Sequence, residues 1–194
     1  MLIVCLLSVG FIKLSEKYIM PIAADMCVIY AKEKINDVIN DSVVDVIRQG
    51  GINTNDLFNI KNDNGITLLY ADTSDINMIC ASASRYITEN IRNMKNKNVE
   101  VPYGAISGIG IFANRGPKIS FDIMPAGETA VDYETEFNSA GINQTNYKIW
   151  LTVNITVSLL NPIYDKKVNM TRKIMLVDTV IKGEVPSNYI VPEF

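Results

Sequence analysis

The chain has 194 residues, 48% of them hydrophobic and 20% charged, with a net charge of −3. These values suit one folded domain, with or without a membrane-proximal helix, and the scattered basic residues argue against a nucleic-acid surface. Histidine is absent, which excludes the usual general base near neutral pH, the commonest zinc ligand and every Ser-His or Cys-His nucleophile.

Residues 1–12, MLIVCLLSVGFI, carry no charge and are followed by Lys13, Glu16 and Lys17. A spanning helix needs about 20 apolar residues, and the run lacks both the basic start and the cleavage site of a signal peptide. Three readings stay open: a spanning helix that starts upstream, a short anchor continued by later residues, or a buried helix. We take residues 1–14 as a truncated membrane anchor and residues 15–194 as one extracytoplasmic domain.

Residues 15–49 form one long predicted helix. Val28, Ala31, Ile35, Val38, Ile39, Ser42, Val43, Val46 and Ile47 recur at three-four spacing, the pattern of a helix with one buried stripe. Pro21 either kinks it or marks where a membrane segment hands over to the soluble part, and Gly50-Gly51 stops it. Two short strands, LFNI and ITLLYA, then flank Asn62-Asp63-Asn64-Gly65, a hairpin signal rather than a calcium loop. Thr73 or Ser74 caps a second predicted helix that runs to about Lys95 and buries Ile76, Ile79, Ala83, Tyr86, Ile87, Ile91 and Met94.

The rest is β-rich. A short strand over 99–104 leads into AISGIGIFANRGPK, read as a flexible connection, since no phosphate-loop helix follows its glycines. Residues 118–123 alternate as a strand that Pro125 breaks. In residues 130–137, alternation sets Asp132, Glu134 and Glu136 in a row on one face, with Glu128 just before. Such a row fits either a solvated face or an all-carboxylate metal site, and we favour the solvated face.

Residues 147–160, YKIWLTVNITVSLL, place seven apolar residues at strict period two, the signature of a long strand with one greasy and one wet face. Trp150 falls on the wet side. Residues 164–181 supply its antiparallel partner, and the continuous Ile174-Met175-Leu176-Val177 run breaks the alternation, as a β-bulge or coverage of both faces would explain. The expected fold is α+β: a long N-terminal helix and a second helix packed on a long-stranded, mainly antiparallel sheet. Cys27 and Cys80 fall on the helices and read as buried free thiols, although a disulfide outside the cytoplasm remains open.

VPYGAISG at 101–108, NRGPKISFDI at 114–123, AGINQTNYKIWLTVNITV at 140–157 and IKGEVPSNY at 181–189 come in an order and spacing that resembles the YunB family of bacterial sporulation proteins. Members of that family carry a basic cytoplasmic stub and a full transmembrane helix, so the resemblance implies an anchor that starts upstream of residue 1. It further implies a single-pass protein of a mother-cell or spore-surrounding membrane, its C-terminal domain outside the cytoplasm. The resemblance brings no reaction, no catalytic residue, no metal and no cofactor. The family-motif positions Gly116, Pro117, Lys118, Gly141, Ile142, Asn143, Gly183, Glu184, Val185 and Pro186 read as turns and strand ends.

Three functions compete. The first is a membrane-anchored structural or interaction module for spore formation, with a protein partner in the extracytoplasmic space. The second is a domain that binds lipid or another hydrophobic ligand between helices and sheet. The third is a metal-dependent hydrolase built on Asp132, Glu134 and Glu136.

Overall fold

The computed structural model describes residues 10, 13, 15–63, 66–141 and 144–182. The predicted anchor at 1–14 lies outside them except for Gly10 and Lys13, and the GEVP stretch lies wholly outside. Among the described residues no helix is long and apolar enough to cross a membrane.

A π-helical turn, Ser15–Ile19, runs into α1 (Met20–Gln49). Pro21 occupies the first turn of α1, where its missing N–H breaks no helical hydrogen bond. The proline therefore sits where the π-helical turn gives way to the α-helix. Small residues lead the buried stripe (Ala23, Ala24, Cys27, Ala31) and larger ones follow (Ile35, Ile39, Val43). A 3₁₀ turn, Thr54–Leu57, precedes the hairpin β1 (Phe58–Asp63) and β2 (Ile66–Ala71), in which Asp63 pairs with Ile66.

Helix α2 (Thr73–Asn93) is capped by Asp72, not by Thr73 or Ser74. The Asp72 carboxylate accepts from the amides of Ser74 and Asp75. A carboxylate satisfies free amides there and also meets the positive end of the helix dipole, which a hydroxyl cannot do.

The sheet contains β3 (Asn98–Pro102), β4 (Lys118–Pro125), β5 (Ala130–Gly141), β6 (Gln144–Asn161) and β7 (Tyr164–Lys182). Every pairing is antiparallel. Strand β6 is the axis. One edge pairs with β7 along its whole length, while the other meets β5 over 144–154 and β4 over 157–160. Strands β4 and β5 are thus two collinear pieces of one edge, joined by the corner 126–129. Four corner residues stand opposite Ile155 and Thr156. Because the excess is even, the alternation of faces survives the interruption.

Both helices cover one face of this sheet. Ile35, Ile39, Ile76, Ile79, Ile87 and Ile91 meet Phe121, Ile123, Ile149, Leu151, Val153 and Leu159, and each of these is fully buried. The expected α+β fold is what forms, and all seven apolar residues of the period-two row in β6 are buried. The bulge falls in β7 as well. Ile149 pairs with Val177 and Trp150 with Met175, so Leu176 is the extra residue.

Several polar contacts pin the layers together. Lys34 of α1 donates to the Asn98 carbonyl at 2.8 Å. Asn90 of α2 donates to the buried Ser42 hydroxyl of α1 at 2.9 Å. Ser84 donates to the Thr129 carbonyl, and the Thr88 and Thr129 hydroxyls lie 2.8 Å apart. The strand break at 126–129 is therefore fastened to α2.

Candidate functional site

Two surfaces stand out: the open face of the sheet and one end of it. On the open face, register sets Glu136, Glu134 and Asp132 of β5 opposite Lys148, Trp150 and Thr152 of β6. Beyond these lie Asp178, Met175 and Lys173 of β7. Trp150 is half-buried, and its indole N–H donates to Glu136 at 3.1 Å. Glu136 also accepts from Asn138 at 2.8 Å. Lys173 reaches across β6 to donate to Glu134 at 2.5 Å, and Thr152 donates to the same carboxylate at 3.3 Å. Further along, Thr171 donates to Asn154 at 2.7 Å and Thr156 to Asn169 at 2.9 Å.

These partners set the electrostatics. The Lys173 ammonium, by hydrogen bond and then by charge, holds the Glu134 carboxyl below its usual range. Hydrogen bonds from Asn138 and then Trp150 do the same for Glu136. The carboxylates thus stay ionised and each binds its own donors, an arrangement unlike a shared-proton pair. Among the described residues no group of three or more His, Cys, Asp or Glu side chains is placed to hold a metal. The solvated-face reading of this row is the one the geometry matches.

At one end of the sheet, β3 and β4 are joined by a folded excursion over 103–117. It holds a single helical turn, α3 (Tyr103–Ile106), and a 3₁₀ turn, Gly110–Phe112. Sequence reading took this stretch for a flexible connection; instead it is closed by its own hydrogen bonds. Gly104 N–H donates to the Arg115 carbonyl and Tyr103 N–H to that of Pro117. Ser107 donates to the Gly104 carbonyl, and the Ile109 amide donates to Ser107. The tip is nevertheless apolar: Ile111 is 80% exposed, Ile109 53% and Phe112 47%. The signal available in the sequence was the Ile-Phe content between glycines, which a purely polar turn would lack.

The described family-motif positions, Gly116, Pro117, Lys118 and Gly141, do not converge. Gly116 has φ +94°, a conformation that favours glycine, and delivers Pro117 and Lys118 into β4. Lys118 pairs with Glu100 of β3 at 2.9 Å. Gly141 ends β5 opposite Gln144, which also pairs with Lys182, the last residue of β7. The GIN and GEVP stretches therefore leave from one end of the sheet, although Ile142, Asn143 and residues 183–186 lie outside the described residues. The Gly116 turn sits at the other end, beyond Asp122, which pairs with Leu160 near the far end of β6.

The second sequence reading wanted an apolar groove between helices and sheet. That interface is filled by the chain's own isoleucines, leucines and Phe121. Cys27 and Cys80 are buried free thiols. Burial lifts the Cys27 thiol to about 11, and burial followed by the charge of Asp132 lifts that of Cys80.

These features define a class: a helix-backed, all-antiparallel sheet with a polar open face and one apolar end. Residues 98–188, which contain the sheet, match the family model of sporulation protein YunB. The chain is also 26% identical to the sporulation protein YunB of Bacillus subtilis, over 96% of its own length and 81% of that protein's. No solved structure matches it. The family supports a role in sporulation.

Proposed function

We propose that the chain is a membrane-anchored, non-enzymatic module for spore formation that uses the open face of β5, β6 and β7 to hold a protein partner outside the cytoplasm. The observation that carries this is the face that the described residues leave uncovered. The helices cover one side of the sheet, and the other presents a half-buried tryptophan among charged and hydroxylated side chains in fixed pairs. Tryptophan and neighbouring charges are the composition of a recognition surface. Glu134 and Glu136 are occupied by Lys173, Trp150, Thr152 and Asn138, which argues for recognition rather than acid-base work. The apolar run at 1–12, feeding the start of α1, supplies the tether, and the C-terminal domain then lies at a mother-cell or spore-surrounding membrane.

Affinity capture of the tagged chain from sporulating cells of its host tests the proposal. The wild type is expected to bring down a partner that Trp150→Ala together with Glu136→Lys releases, with sporulation impaired alike. Recovery of the chain alone from every detergent extract, with normal spores after its deletion, overturns it.

A further inference from the structure

We infer that the excursion over 103–117 is a second membrane contact, its tip Ile109, Ile111 and Phe112 inserted into the headgroup boundary of an anionic bilayer. This rests on the membrane-anchored reading above.

The position of the excursion carries the inference. Tyr103 at its base, Met20 at the start of α1 and Pro162 in the β6–β7 turn line one surface hollow. The end of the sheet that bears the apolar tip is therefore the end at which α1 begins. Tyr18, Ile22 and Ile163 are exposed at this same end. With Leu160, which lines the hollow itself, seven of the sixteen large apolar side chains exposed among the described residues thus gather there.

Basic side chains at this end suit an anionic lipid surface. Of its carboxylates, Asp25 and Glu100 are paired with Lys166 and Lys118, while Asp122 in the hollow and Asp165 opposite Leu160 remain as negative charge. Arg115, three residues beyond the tip, faces solvent, as do Lys13 and Lys17 before α1. Lys17 lies over the Tyr18 ring, 5.3 Å from its centre. Tyrosine and lysine beside an apolar run are what a membrane–water interface selects, and basic side chains near the surface attract anionic headgroups. A rigid apolar tip also loses little conformational entropy on insertion, since its backbone bonds already close the loop.

The full chain carrying Ile111→Trp and Trp150→Phe, reconstituted in 7:3 phosphatidylcholine–phosphatidylglycerol vesicles, tests this. Position 111 is open, so the wild-type unfolding temperature is expected to be kept. Inserted to the usual depth of roughly 5–10 Å, the indole emission is expected to shift to the blue and be quenched by lipids brominated on their acyl chains. The native Trp150 of the otherwise unchanged chain is expected to show neither effect. If the chain does not float with vesicles at all, the anchoring reading fails. If it floats and the indole at 111 is quenched no more than Trp150, the anchor stands and the second contact is overturned. Shielding of position 111 from a water-soluble quencher, without bromolipid quenching, assigns the tip to a protein and likewise overturns it.

Discussion

Gly104 lies directly beneath the Phe112 carbonyl, so close that a β-carbon there would overlap the carbonyl oxygen. The opposing atom is backbone, which cannot rotate aside as a side chain would. Gly104→Ala must therefore open the excursion over 103–117. Insertion of a methyl group into a packed site costs about 1–3 kcal/mol, and Gly116→Ala adds a strained positive φ worth about 1–2 kcal/mol. Both variants are expected to unfold at lower denaturant and to be cut within 103–117 by a protease that spares the wild type. Wild-type resistance in Gly104→Ala would contradict the close packing.

Leu151 sits at the centre of β6, fully buried, paired with Tyr133 on one side and Ile174 on the other. The strand is held by both neighbours, so the site cannot collapse readily around a smaller side chain. Leu151→Ala is expected to cost about 2–5 kcal/mol in urea unfolding. By contrast Thr156→Ala on the open face removes only a hydrogen bond to Asn169 and is expected to cost about 1 kcal/mol or less.

How much of this was legible depended on period. The seven alternating apolar residues of β6, the three-four stripe of α1 and the bulge in β7 each leave a local signature, and each formed where expected. The collinear β4 and β5 leave none. Whether two strands share one edge is settled by the ladder to β6 and by the Thr129 contacts to α2, which are far apart in sequence. The apolar tip was missed for a related reason: Gly108 and Gly110 read as flexibility, while the bonds that close the loop join Gly104 to Arg115. The Glu134–Lys173 pair was equally hidden, since it spans 39 residues and follows only from the combined registers of β5 and β7 on β6.

The two helical thiols give a chemical check on the packing. Cys27 is fully buried with its thiol directed at the Val99 carbonyl, 3.8 Å away, and Cys80 is buried on α2. The thiolate is the reactive form, and burial keeps both groups protonated at neutral pH. In a Cys5→Ser background, a thiol reagent at pH 8 is expected to leave the native chain unlabelled and to modify two thiols on unfolding. Prompt labelling of Cys27 in the native chain would mean that α1 does not pack on β3.

The open face has its own pH signature. Lys173 depresses the Glu134 carboxyl below its ordinary value of 4.5. A carboxylate whose folded value is lowered stabilises the fold above its unfolded value and loses that contribution as pH falls through the folded one. Both Glu134 and Lys173 are solvent-exposed, so screening keeps the effect on stability small and the titration itself is the better readout. Side-chain carbonyl NMR is expected to show Glu134 titrating below an unperturbed glutamate, and Lys173→Met is expected to return it toward 4.5. Glu136 is expected to stay depressed in that variant, because Asn138 and Trp150 rather than Lys173 are its main donors. Trp150→Phe is expected to have the converse effect, raising Glu136 and leaving Glu134 in place. If Lys173→Met moved both carboxylates equally, the face would be one diffuse charge field, and the paired recognition surface would have no structural basis.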